Sequence, residues 1–158
     1  MIKQFLLFIF SLTTSVAISQ DAQEELQMIK SLFGTDKDMI VKEFVKVEGA
    51  SKDKFWKLYS EFESVRKELG QKKFKVLNNY VNTHALLPEK ELDEILNEII
   101  KLSASQDKLI ATYYKKIKKE CGILVAAQFY QIEWYLLSQI RTAILENIPV
   151  INELDNPK

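Results

Sequence analysis

Glu133 is the residue with the most pointed chemistry in this chain. It lies inside Phe129-Tyr130-Gln131-Ile132-Glu133-Trp134-Tyr135, among aromatic and aliphatic side chains. A carboxylate buried there without a partner costs several kcal/mol or takes up a proton. Glu133 is therefore expected to meet a cation, and Arg66 is the candidate because a guanidinium grips a carboxylate through two parallel bonds. Such a buried pair fixes the register of two helices. A pH or metal sensor is the sharper alternative. A second cluster, Phe55-Trp56-Lys57-Leu58-Tyr59 with Phe62, combines aromatic and basic residues. Phe55, Tyr59 and Phe62 share one helical face and Trp56 is offset from it. Trp56, Lys57, Lys72 and Lys73 are the candidate residues for holding a partner, through apolar contact plus charge.

The remaining inventory argues against catalysis. His84 is the only histidine, so no second imidazole stands at metal-ligand spacing. The chain has no G-x-S-x-G elbow and no glycine-rich phosphate loop. Its acidic residues fall mostly at solvated helical positions. No catalytic residue, metal or other cofactor is expected, and the chain is not expected to be an enzyme. Cys121 is the single cysteine, so an intrachain disulfide is impossible. It is expected as a half-buried thiol at a turn, with a disulfide-linked dimer as the alternative.

The first nineteen residues read as a signal peptide. Lys3 precedes the apolar run Phe5-Leu6-Leu7-Phe8-Ile9-Phe10, and Ala17-Ile18-Ser19 supplies the small-x-small cleavage pattern. The run is short for a bilayer span, which needs about 20 residues. An N-terminal membrane anchor is the alternative. Cleavage before Gln20 would leave 21 basic and 22 acidic residues, since Lys3 is one of 22 basic residues in the whole chain. A net charge near −1 calls for no nucleic acid partner. The charge is zoned, however: residues 52–75 sum to +4, 89–99 to −4 and 101–120 to +4.

The elements carrying these residues read as helices. Glycine and proline are scarce, at four and three residues, and sit where helices should end. Residues 20–50 are expected to hold one or two short amphipathic helices, the first around Leu26, Ile29, Leu32 and Phe33, the second around Met39, Ile40, Phe44 and Val47. Ser51 then suits the N-cap of a long helix to about His84. Its apolar stripe (Phe55, Leu58, Tyr59, Phe62, Val65, Leu69) lapses at residues 70–73 and resumes at Val76, which reads as a bend or a soft point. Pro88 suits the first position of the next helix, whose own stripe thins at residues 103–106. Gly122 should close it. The last helix, to about Ile148, is apolar over more than half its circumference, an arc wider than three helices can cover, so a homodimer is expected. Residues 51–149 form the long-helix domain and 150–158 a flexible tail. The fold class is all-α: three long antiparallel helices after one or two short ones, in a curved, dimeric hairpin or bundle.

At Phe55-Trp56-Lys57-Leu58-Tyr59 and Ala127-Gln128-Phe129-Tyr130-Gln131-Ile132-Glu133, together with an export signal and an all-helical body, the chain resembles the Spy/CpxP family of bacterial periplasmic proteins, in a divergent subgroup. The likeness covers residues 36–149. Val47-Glu48-Gly49-Ala50-Ser51 and Leu87-Pro88-Glu89-Lys90-Glu91 stand where the family carries its two L-T-x-x-Q motifs. The resemblance implies a bent helical hairpin that dimerises into a shallow cradle. It also implies a periplasmic stress-response protein, peripheral to the membrane at most, that holds unfolded or envelope proteins without ATP. The alternatives are an adaptor docking on a sensor-kinase domain and a purely structural envelope module.

Overall fold

The computed structural model describes residues 37–83 and 87–147. The expected signal peptide, the helix around Leu26, His84 and the C-terminal tail lie outside the described residues. Four helices follow in order: α1 (Lys37–Phe44), α2 (Ser51–Thr83), α3 (Glu89–Cys121) and α4 (Ile123–Asn147), with no strand among the described residues. The all-α expectation therefore holds. No helix among the described residues is long and apolar enough to cross a membrane.

The helix ends follow local chemistry. Gly49, at φ +60°, turns the chain, and Lys52 N–H bonds its carbonyl at 3.1 Å as α2 begins. Pro88 lies one position earlier than expected. It is the N-cap of α3 rather than its first residue, in an extended conformation, and its carbonyl accepts Leu92 N–H at 3.0 Å. Glu89 and Glu91 then meet the positive end of the helix dipole. Gly122 alone separates α3 from α4. Its φ of +88° is a conformation that L side chains rarely adopt. Its N–H bonds Lys118 O and its carbonyl accepts Ala126 N–H, both at 3.2 Å, so one residue closes one helix and opens the next.

α2 and α3 run antiparallel. Lys54 meets Glu120, the Phe62 ring meets Tyr113, and Lys73 meets Ser103. α4 returns along α3, with Tyr114 on Tyr130 and Asp107 on Arg141. The main core lies where all the helices meet. It is built from Phe55, Tyr59 and Phe62 of α2, Ile110, Tyr113 and Ile117 of α3, and Val125, Phe129, Ile132 and Leu136 of α4, with Val41 and Val45 from the α1 segment. Phe62 is its centre. Its ring stands edge-on to Phe129 (5.1 Å, 84°) and to Tyr113 (5.5 Å, 65°). Farther along the hairpin, Leu77 and Tyr80 of α2 and Ile95 and Leu102 of α3 are also buried.

α2 is helical without interruption through residues 70–73, where the sequence suggests a bend or a soft point. The two lapses in the apolar stripes face each other. Lys73 is buried, and its ammonium donates to Ser103 Oγ at 3.1 Å and Gln106 Oε1 at 3.5 Å. A polar layer thus crosses the hairpin where each helix lacks apolar residues. Val65, counted on the apolar stripe, is exposed, as is Leu124 on the last helix. Gly70 sits inside α2, and a methyl group added there would meet nothing within 4 Å. Gly70→Ala is therefore expected to stabilise the protein by about 0.5–1 kcal/mol, read as a rise in the urea midpoint.

Antiparallel pairing also sorts the charge. Residues 52–75 of α2 lie beside residues 101–120 of α3, each summing to +4, while the −4 of residues 89–99 falls at the start of α3. The body of the hairpin is basic and its far end acidic.

Candidate functional site

Two places combine polar chemistry with shape. The first is an open groove of about 690 Å³ between α1 and α2. Turns of α2 one above another supply Lys52, Trp56, Tyr59, Ser60, Glu63, Ser64 and Lys67, and α1 supplies Asp38 and Lys42. Trp56 is half-buried. It stands edge-on to Phe55 (5.0 Å) and Tyr59 (5.5 Å), and Lys42 Nζ sits 5.6 Å from its ring centroid. The wall is aromatic and the rim basic, with Asp38 as the opposing acid.

The second is a buried four-charge cluster at the inner edge of that groove. Lys37 of α1 donates to Glu63 Oε1 and, at 2.7 Å, to Glu133 Oε2. Arg66 forks onto Glu63 through Nε–Oε1 at 2.6 Å and an Nη–Oε2 bond at 2.8 Å. The Lys37 ammonium also stands over the Phe62 ring (5.1 Å) and the Tyr59 ring (5.6 Å). Lys37, Glu63 and Glu133 are all buried. Two cations and two anions cancel, which is what allows the cluster to be dehydrated.

The two carboxylates are not equivalent. Burial pushes Glu63 up, but the Arg66 fork and Lys37 outweigh it and hold Glu63 below the usual carboxylate value. For Glu133 burial wins. Lys37 opposes it, the Glu63 charge reinforces it, and the carboxyl is raised above 4.5. Glu133 Oε1 and the Tyr59 hydroxyl are buried and make no hydrogen bond among the described residues. Burial, then Glu133 and Glu63, push the Tyr59 phenol far up, so it stays neutral. Beside Glu133 is a cavity of about 30 Å³ that also touches Lys37, Arg66 and Gln106, far too small for a metabolite.

Opposite shifts give a stability profile with a turning point. The folded chain binds the Glu133 proton more tightly than the unfolded chain. Stability therefore rises as pH falls from above the folded value of Glu133 toward 4.5. The lowered folded value of Glu63 acts in reverse. Its contribution is present above 4.5 and is lost as pH falls through the folded value. The groups facing these carboxylates are Lys37 from α1 and Tyr59 and Arg66 from α2. Urea midpoints measured across this range should pass through a maximum on the acid side. Glu133→Gln should remove the rise and keep the acid-side loss. An unchanged profile in that variant would assign the rise to another group.

The structure redistributes the residues expected to act. Glu133 is buried, as its surroundings require, but its cation is Lys37 and not Arg66. Arg66 lies in the same cluster and is spent on Glu63, three residues away on its own helix. Of the expected partner-holding residues, Trp56 lines the groove. Lys57 and Lys72 are exposed outside it, and Lys73 is buried in the polar layer, where burial and then Arg141 lower its pKa. Lys37, Lys42 and Glu63 are the residues that the stripes alone did not single out. Cys121 is half-buried at the α3–α4 turn, its thiol 3.7 Å from Ser51 O, and burial raises its pKa. Among the described residues no group of three or more His, Cys, Asp or Glu is placed to hold a metal.

No protein-family model, characterised protein or solved structure matches this chain.

Proposed function

We propose that this chain is an exported helical binding protein that holds unfolded or partly folded envelope proteins without ATP, as a curved homodimer of the Spy/CpxP type it resembles. The observation carrying this reading is the groove between α1 and α2. Trp56 and Tyr59 offer an apolar wall, and Lys42, Lys52 and Lys67 carry positive charge at its rim. Glu63 faces the same groove with its charge already matched by Lys37 and Arg66. An extended chain segment with aromatic and acidic residues fits such a surface by stacking and charge together. The basic body of the α2–α3 hairpin supports the same preference.

Purified protein should slow the aggregation of a denatured client at near-stoichiometric ratio without nucleotide. Trp56→Ala should weaken that effect while leaving the helical circular dichroism intact. Added salt should weaken it too, because exposed lysines act through a screened field. No suppression across several clients, with one saturable partner recovered from envelope extracts, would replace the holding reading with the adaptor one.

A further inference from the structure

α3 and α4 share an outer face that no other described helix covers. Tyr114 on Tyr130 and Asp107 with Arg141 form the seam between the two helices. At 3.6 residues per turn, Ile123, Tyr130, Trp134 and Leu145 of α4 fall within about 40° of one line on the solvent side of that seam. On α3 the matching line passes through Ile100, Ala104, Ala111 and Lys118, all exposed. Among the described residues eight large apolar side chains are exposed, and six of them lie on or beside this face: Ile100, Ile123, Leu124, Tyr130, Trp134 and Leu145, from 44% to 78% exposed. At roughly 200 Å² for a large side chain, the six expose on the order of 700 Å². The largest apolar patch on a typical soluble monomer is about 300–600 Å², and a larger one marks an interaction surface.

The border of the patch is basic. Lys108, Lys115 and Lys118 stand exposed on the same side of α3. The acid among them, Asp107, is held by Arg141 at 2.8 and 2.9 Å. Matched residue for residue from that pair, the antiparallel α4 runs out beside Ile100, so the acidic stretch 89–99 falls beyond the patch. Glu146 stands about 120° round α4 from Trp134, off the face. An occupant must therefore be apolar at its centre and negative at its edge. A second copy of the same face would bring three more lysines and no free carboxylate.

We propose that this face seats the protein on the surface of a bilayer rich in anionic lipid, with α3 and α4 lying flat in the headgroup layer. Ile123, Leu124 and Leu145 enter the boundary of the acyl chains, about 5–10 Å deep. Tyr130 and Trp134 carry the two side-chain types that settle at headgroup level, with an apolar ring and a polar tip. The lysines lay their methylene stems along the apolar patch and reach the lipid phosphates. The opposite side of α4 is committed to the core through Phe129, Ile132 and Leu136, and no described helix is long and apolar enough to cross a bilayer. The helices therefore lie on the membrane. The face shares no residue with the groove between α1 and α2, so its failure would leave the client-holding reading standing.

Co-sedimentation with vesicles of equal parts phosphatidylglycerol and phosphatidylcholine tests the proposal, with pure phosphatidylcholine vesicles as the neutral arm. The full chain purified without its expected signal peptide should pellet with the anionic vesicles and partition at least about tenfold less onto the neutral ones. Trp134→Glu should lower partitioning onto the anionic vesicles about tenfold or more. Lys115→Glu combined with Lys118→Glu, at two exposed positions, should do the same with every apolar residue retained. Met39→Glu makes the same charge change as Trp134→Glu at an exposed position on α1, and should stay within about twofold of wild type. Helical circular dichroism should match wild type in all three variants. Absence from the anionic vesicles, or equal binding to both kinds, would overturn the proposal. A protein that ignores vesicles and sediments as a dimer broken by Trp134→Glu would overturn it in favour of a second copy on this face.

Discussion

Glu63→Ala should cost about 3 kcal/mol of folding stability, near the lower end of the 3–5 kcal/mol for breaking a buried ion pair. Glu63 is the one anion shared by two cations, with its side chain 9% exposed. Its removal takes away the Lys37 bond and both arms of the Arg66 fork at once. Two features keep the loss from being larger. Lys37 retains Glu133 at 2.7 Å, and Arg66, 21% exposed, can turn its guanidinium toward water. Glu63→Gln keeps the side-chain shape and part of the hydrogen bonding, so it should cost less. Urea denaturation near neutral pH measures both. A cost for Glu63→Ala below about 1 kcal/mol would make the cluster worth no more than an exposed pair.

Phe62→Ala should be more damaging still, at about 3–5 kcal/mol. The side chain is fully buried and touches the rings of Tyr59, Tyr113 and Phe129, so it joins all three long helices. It also carries the Lys37 ammonium on its face at 5.1 Å. Truncation would open a void continuous with the small cavity beside Glu133, which Phe62 already lines. The lost transfer energy and the residual cavity then add, while the cation loses part of its cover. Phe62→Leu refills much of that space and should cost clearly less. Equal losses for the two variants would mean that ring geometry, and not volume, holds the three helices together.

The helical architecture was readable because its punctuation is local. Gly49, Pro88 and Gly122 act on their own neighbours, and each marks a helix end in the structure. The polar residues of the core were partly readable. Continuing the spacing Phe55, Tyr59, Phe62 in steps of four and three reaches Arg66, Leu69, Lys73 and Leu77, which puts two basic residues on the seam itself. Following apolar residues alone chose Val65 instead, which the helix turns outward. The choice of partners was not readable. Arg66 has a carboxylate three residues away on its own helix, and that contact forms with little loop closure. Lys37 reaches Glu63 across 26 residues and Glu133 across 96, and only the docking of α1 brings them together. Periodicity within one helix carries no information about which charge on another will face it.

The tie between Lys37 and Glu133 has a consequence for the order of events as the chain emerges, N-terminus first, into the compartment where it folds. α1 is made before any other described helix, yet its charged anchor lies 96 residues downstream, on the last one. The α2–α3 hairpin joins neighbours in the chain and can close before α4 has emerged. α1 has nothing to complete its docking until α4 emerges. Its lysine stays hydrated while the hairpin forms, and the four charges lose their water together at the end. The first described helix to emerge is thus among the last to be locked in place.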